Sequence, residues 1–482
     1  MQTTNNAIDL QLIKNECESR IDSFFSQFGI ATIARNSSIK KARGYSALTI
    51  LLNIFVLPFI GKNIYRSIVI NPKSDVGKDA IYEFMRSSNF GWRRFLLKLA
   101  FGIHEFIDGL TSKDRESVLI LDDSTIERPR SKKVELLAKV HDHTTGRFLK
   151  GFKLLTLAWS DGSTLLPLDF VLRSSANKKQ RYQEVSKDLD KRSCGARRRQ
   201  EAVTKSTELI EPMIERALKA GIKAKFLLMD SWFAMPALIS KVCKHIPVIC
   251  MVKRTAKVHY IFEGRAMDVT QIYSQIRKRR GRAKILANAQ VEFKDGLKAK
   301  LVFVRNKHKR DWLALLTTDL ILADEDVVRI YGKRWDIEVF FRTAKQHLEL
   351  EKGCQSRDFD ALIAHTTIVM TRYIFLSIEK RRTEDPRTLG LLFHRCCEEA
   401  EDCTLVKALC QILGITLENL KKLGEAQSQA ERILLEAFQE GMRSLGRNFD
   451  YIFNEQRLLA CQTASKSDPP SASNSDPLRA CL

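Results

Sequence analysis

Ile330-Tyr331-Gly332-Lys333-Arg334-Trp335-Asp336-Ile337-Glu338-Val339-Phe340-Phe341-Arg342-Thr343-Ala344-Lys345 sets Tyr331, Arg334, Glu338 and Lys345 at offsets of three, four and seven. On a helix turning about 100° per residue these four fall within an arc of roughly 60°. A phenol, a guanidinium, a carboxylate and an ammonium then share one stripe, a face suited to a metal and a phosphate backbone. The bland alternative is a solvated Glu/Lys ladder, common on exposed helices. The pattern predicts one continuous helix from Asp324 to about Glu351.

Two upstream segments supply carboxylates of a different origin. Val118-Leu119-Ile120-Leu121 is a short continuous apolar run, the mark of a buried strand, and it ends at Asp122-Asp123-Ser124-Thr125. Phe226-Leu227-Leu228-Met229 is a second such run, ending at Asp230-Ser231-Trp232-Phe233. Phe152 to Trp159 and Leu165 to Leu172 read as a hairpin around the Asp161-Gly162-Ser163 turn. Taken singly, a strand-end aspartate is more often a turn or capping residue; the constellation changes that reading.

Asp122, Asp230 and Glu338 are the ligand types that hard divalent cations prefer, so two Mg²⁺ or Mn²⁺ ions are the expected cofactors. Such a pair activates an attacking oxygen and stabilises the leaving oxygen of an in-line phosphoryl displacement. Arg334 and Lys345 would neutralise phosphates and Tyr331 would donate to one, holding a strand in register.

The bulk composition agrees with a polyanionic partner. The 482 residues carry 80 Lys and Arg against 57 Asp and Glu, a net charge of +23, and the pI is about 9.6. Length and a hydrophobic share of 44% point to two to four domains with sizeable cores. The apolar stretch from Ser46 to Ile60 is short and interrupted, and no signal peptide is visible, so a cytoplasmic protein with no membrane partner is expected. Eleven cysteines without a CxxC pair speak against a disulfide framework or a zinc ribbon. His141-Asp142-His143 has no partner at ligand spacing and reads as a structural loop.

Along the chain, residues 1–112 read as helical, with basic residues throughout; either a DNA-binding module or a basic-surfaced scaffold fits. Residues 113–385 form the α/β catalytic region. Residues 173–200, with Arg197 to Arg199, read as an exposed basic segment. The 107 residues between Asp230 and Glu338 exceed what the next core element needs, and their alternation predicts an inserted antiparallel β subdomain at about 252–318. Its clearest hairpin joins Ala287 to Phe293 with Lys298 to Val304. An apolar helix near Ala361 to Glu379 reads as core, residues 386–461 as a helical region with a possible dimerisation role, and residues 462–482 as a disordered Pro/Ser/Asp tail.

With these motifs in hand, roughly residues 115 to 380 resemble the bacterial DDE transposases of insertion sequence family four, the group with a tyrosine-arginine-glutamate-lysine signature. Asp122-Asp123-Ser124 matches the first aspartate motif with Asp122 as ligand and Asp123 as the alternative register. Asp230-Ser231-Trp232-Phe233 matches the second, and Tyr331, Arg334, Glu338 and Lys345 match the signature. The resemblance implies an RNase H-like core with a β insertion between N- and C-terminal helical regions, and a homodimer assembled on double-stranded DNA. It also implies Mg²⁺ dependence, cut-and-paste transposition through a hairpin at the terminal inverted repeats, and a nucleoid-associated bacterial setting. Trp312 resembles the insertion-domain tryptophan that enters the place of a flipped base, although its spacing to Thr318 departs by one residue; a core tryptophan opening a strand is the alternative. Two other functions stay open, an RNase H-like nuclease or resolvase and a non-catalytic DNA-binding regulator derived from a transposase.

Overall fold

In the computed structural model the described residues are 20–64, 76–110, 115–142, 145–186, 189–279, 283–306, 311–382 and 388–400, with Thr416 and Ile433 alone beyond them. The expected tail at 462–482 and most of the C-terminal helical region lie outside this range.

The N-terminal part is helical, as its periodicity predicts: α1 (Arg20–Gln27), α2 (Ile30–Asn36), α3 (Ala47–Val56), α4 (Lys78–Met85) and α5 (Trp92–Asp108). Ser46 starts α3 by accepting the Thr49 N–H through its hydroxyl at 3.0 Å. In α5 the residues Phe95, Leu96, Leu99, Ala100, Ile103 and Ile107, three or four apart, are all buried. These helices share one continuous apolar cluster with the rest of the molecule, running from Ile21 to Ala400. They therefore do not form a core of their own.

Eleven strands form one sheet: β1 (Val118–Glu127), β2 (Ala138–Asp142), β3 (Arg147–Ser160), β4 (Leu165–Arg173), β5 (Phe226–Met229), β6 (Val248–Val252), β7 (Tyr260–Phe262), β8 (Arg265–Met267), β9 (Ile285–Glu292), β10 (Lys298–Asn306) and β11 (Asp311–Thr317). β3 runs antiparallel to β1, with β4 and β2 sharing its other edge. β5 and β6 are parallel to β1 and to each other. Beyond β6 the order continues β11-β10-β9-β7-β8. α6 (Cys194–Ala202), α7 (Ser206–Lys219), α8 (Pro236–Val242) and α9 (Val269–Gln275) occupy the connections, followed by α10 (Asp324–Gly332), α11 (Trp335–Gln346) and α12 (Phe359–Arg382).

Several expectations change. The first strand does not stop at its aspartates but continues to Glu127, because β3 goes on pairing with it from Asp122↔Thr156 to Glu127↔Gly151. The segment around His141 is not a loop but strand β2, held by its pairing with β3. The strands within 252–318 pair antiparallel with one another, and β11 also returns to pair with β6, Ala314 opposite Val252, which joins them to the central sheet. Within the basic segment 173–200, Arg199 is buried, its guanidinium bonded to Glu135 at 2.7 Å and Asp360 at 2.9 Å, and Arg198 pairs with Asp360 at 2.9 Å. Those two arginines brace the interior, while Arg197 is exposed.

α12 passes through the centre of the protein. Among the described residues it is the one helix long and apolar enough to cross a membrane, and its most apolar window is wholly buried inside the protein. Its Arg372 is buried and donates to the carbonyls of Ile54 at 2.5 Å, Phe55 at 3.0 Å and Leu348 at 3.1 Å. Ile54 and Phe55 lie in the last turn of α3, where the residue four beyond Ile54 is Pro58 and has no N–H to offer.

Candidate functional site

β5 pairs with β1 only from Val118↔Phe226 to Leu121↔Met229. At the next residue of each strand the parallel pairing stops, and there stand Asp122 and Asp230. This is the carboxyl end of parallel strands, where the sheet opens and side chains from two neighbouring strands can face one ligand. Asp230 begins a tight turn in which the Phe233 N–H donates to the Asp230 carbonyl at 3.0 Å. Phe233 is buried as the anchor of that turn, while Trp232 stays 44% exposed.

Glu338 arrives from the other side. The expected continuous helix is broken: α10 ends at Gly332 and α11 begins at Trp335. Across the break the Lys333 N–H donates to Ile330 O, Arg334 N–H to Tyr331 O and Asp336 N–H to Lys333 O, at 3.0 to 3.1 Å, so the chain tightens into i→i+3 turns. Tertiary anchors hold this step. Lys333 Nζ donates to the Glu116 carbonyl, Arg329 pairs with the Glu116 carboxylate at 2.8 Å, and Ser160 Oγ donates to Asp336 at 2.6 Å.

Arg334 ties the two halves together, with NH1 3.1 Å from Asp122 Oδ2 and NH2 2.5 Å from Glu338 Oε1. Burial pushes the Asp122 carboxyl up to about 7; Asp230 and Asp123 add to the rise, while Arg334 and the Asp123 N–H oppose it. Lys345 reaches back to β1, donating to the Thr125 carbonyl at 2.7 Å and pairing with Glu351 at 3.4 Å. Tyr331 is 3% exposed, its ring centroid 5.9 Å from the Arg334 guanidinium carbon. Tyr331, Arg334, Glu338 and Lys345 thus keep a common side despite the broken helix, but the phenol is interior and both cations are engaged with protein oxygens.

The two adjacent aspartates differ sharply. Asp123 is bound by Lys153 of β3 at 3.0 Å with both side chains about a tenth exposed, whereas Asp122 faces Arg334 and Asp230. The carboxylate set fits a hard cation: a buried acid is raised by a second aspartate, and a guanidinium already sits between Asp122 and Glu338 where positive charge is needed. Among the described residues, the group whose ligand atoms already lie within 4.8 Å of one another is a different one, Glu211, Glu215 and His245. Two of these lie one turn apart on α7, with Lys219 paired to Glu215 at 2.8 Å.

Trp312, on β11, is far from bare. Tyr273 stacks on it with centroids 4.4 Å apart, Phe303 meets it edge-on at 5.3 Å, and the Arg254 guanidinium carbon lies 4.8 Å from its centroid, held by Asp311. Trp232, two residues after Asp230, belongs to the second aspartate motif. Lys253 Nζ lies 3.9 Å from its ring centroid, and burial holds that ammonium below the usual lysine range against the pull of Asp230. Trp232 and Lys253 line an open cavity of about 450 Å³ with Arg173, Lys205 and Tyr260. An exposed aromatic next to a motif aspartate was the sequence signal for it; Lys253 had none, because β6 brings it there.

No curated protein matches this chain. The DDE superfamily endonuclease profile matches residues 42–323, which is 282 of the 482 residues. The matched span contains Asp122 and Asp230 and ends before Glu338. With more than half of its length in that match, the chain belongs to the DDE superfamily endonuclease family.

Proposed function

We propose that this transposase-like DDE endonuclease is a DNA transposase of the insertion sequence family four type. It would bind terminal inverted repeats and carry out metal-dependent cut-and-paste cleavage and strand transfer. The observation that carries the reading is the Arg334 bridge, which gathers Asp122 from β1 and Glu338 from α11 beside Asp230. The β4-β3-β1-β5-β6 order, antiparallel on one side of β1 and parallel on the other, supports an RNase H-like core.

In this reading Asp122, Asp230 and Glu338 hold two Mg²⁺ or Mn²⁺ ions, which supply Lewis acidity to the phosphoryl transfer. Asp123 is left to Lys153. Arg334, bonded to Asp122 and Glu338, offsets the repulsion between the carboxylates and would also suit a phosphate at the same site. Lys345 fixes α11 against β1, so the Glu338 carboxylate approaches from a set direction. Trp232 and Lys253 offer a ring and an ammonium to a base and phosphate beside Asp230, while Trp312 stacks on Tyr273. The basic N-terminal helices suit duplex DNA, and assembly as a homodimer on the paired ends, in the bacterial cytoplasm near the nucleoid, completes the proposal.

The test incubates the purified chain and its Glu338→Gln variant with a linear fragment carrying the gene's native flanking DNA, in Mg²⁺ or EDTA. Discrete breaks at both element ends, dependent on Mg²⁺ and absent in the variant, are expected on a denaturing gel. Asp122→Ala and Asp230→Ala should lose cleavage while keeping end binding. Retained cleavage by the Glu338 variant would sink the site assignment.

A further inference from the structure

A second aromatic and cationic surface lies away from the carboxylates. In the β2–β3 hairpin Lys139 stands opposite Lys150 and His141 opposite Phe148. Opposed residues share a face and so do residues two apart, so all four project from one side. The segment after β4 lies along the other edge of β2, through the Ala138↔Arg181 bridge and the Tyr182 N–H bond to the Leu137 carbonyl at 2.7 Å. That brings Tyr182 beside the hairpin.

Phe148 is 52% and Tyr182 50% exposed. Each ring has a lysine against it: Lys139 Nζ is 4.9 Å from the Phe148 centroid and Lys150 Nζ 5.2 Å from the Tyr182 centroid. His141 meets Phe148 edge-on at 5.1 Å. Arg130, Lys132, Lys133, Arg147, Lys178 and Lys179 are exposed in the same segments. The exposed carboxylates there are Glu127 and Glu184, and Glu184 is paired with Arg181 at 2.9 Å. Single exposed aromatic residues are ordinary; two, each beside a lysine from a neighbouring segment on a predominantly basic surface, form a patterned face.

Its position relates it to the carboxylates. Thr156 stands opposite Asp122, and Lys150 and Phe148 precede it by six and eight residues along β3. At about 3.4 Å per residue that is roughly 20 and 27 Å, in the direction β1 takes past Asp122. We propose that this face is a platform for single-stranded DNA, on which unpaired bases stack against Phe148 and Tyr182 while Lys139, Lys150 and the surrounding cations neutralise the phosphates. The proposal rests on the reading that the chain opens DNA strands, and it adds where an unpaired strand is held beyond the carboxylates. A duplex would meet the cations but offer the rings no base faces.

The experiment measures fluorescence anisotropy of the full chain in EDTA with three labelled probes of equal length: an oligothymidine, the same backbone without bases, and a duplex. Oligothymidine should bind more tightly than the abasic strand. Phe148→Ala combined with Tyr182→Ala should weaken oligothymidine binding about tenfold or more, leave duplex binding within about twofold, and leave the melting temperature unchanged. Phe148→Tyr with Tyr182→Phe should restore binding, and Lys139→Gln with Lys150→Gln should lower the salt slope for the single strand by about 1.4. An abasic strand bound as tightly as oligothymidine, or a double alanine variant that leaves single-strand binding intact or weakens both substrates equally, overturns the platform. None of these readouts needs cleavage, so a failed cleavage assay and a failed platform are told apart.

Discussion

Removing the Arg334 guanidinium should make the fold depend on a divalent cation. Arg334 is about a tenth exposed and holds Asp122, which is 18% exposed, and Glu338, which is 32% exposed. Taking away one partner of a buried ion pair costs about 3–5 kcal/mol. The open side at Glu338 and the ease with which Asp122 takes up a proton bring the cost below that range, to about 2–3 kcal/mol at neutral pH. At roughly 2 °C per kcal/mol for a large chain, Arg334→Ala should melt about 5 °C below the native protein in EDTA. A cation held by Asp122, Asp230 and Glu338 offsets that loss, and saturation at a hundredfold over Kd adds about 2.7 kcal/mol. Differential scanning fluorimetry with Ca²⁺, which occupies oxygen sites, should therefore raise the variant's Tm by more than the native chain's. Equal Tm values in EDTA, or equal Ca²⁺ shifts in the two proteins, would refute the idea that the guanidinium stands in for the ion.

Two further outcomes follow from the same geometry. Trp232→Ala should slow any hairpin step at the DNA end about tenfold while sparing first-strand nicking; Trp312→Ala, which empties the stack on Tyr273, should lower thermal stability by about 2–3 kcal/mol and depress both steps together, and the reverse pattern on a time-course gel would exchange their roles. Burial, with Arg372 nearby, lowers the His365 imidazole to about 3, so the folded chain refuses a proton that the unfolded chain accepts below about 6.5. Stability is then full above about pH 6.5 and falls by about 1.4 kcal/mol per pH unit from there toward pH 3; denaturant melts at pH 7 and pH 5 should show His365→Gln losing less than the native chain over that interval.

Legibility in the sequence followed the range of the forces involved. Val118 to Leu121 and Phe226 to Met229 announced themselves because strands buried on both faces are apolar throughout, and each delivered its aspartate by direct succession. The Ala287–Val304 hairpin was equally local. The break at Gly332–Trp335 was hidden, since it is imposed by Glu116 and Ser160, more than 170 residues upstream. Arg198 and Arg199 looked like solvent-facing charge because their partners Glu135 and Asp360 are distant in sequence. β2 was missed for want of an apolar run, its strand state coming from β3 alone. Lys153 resolved what periodicity could not, the different environments of Asp122 and Asp123.

The buried Arg372 clasp on the carbonyls of Ile54 and Phe55 bears on measurement at a larger scale. A helical region joined to a nuclease by a slack tether would let it cut over a spread of positions. Here the N-terminal helices are riveted to α12 through Arg372, so under the proposed function DNA held by them would sit at a fixed stand-off from Asp122 and Asp230. In the proposed function such a fold would work as a caliper, with the distance from the gripped DNA to the cut set by the protein itself.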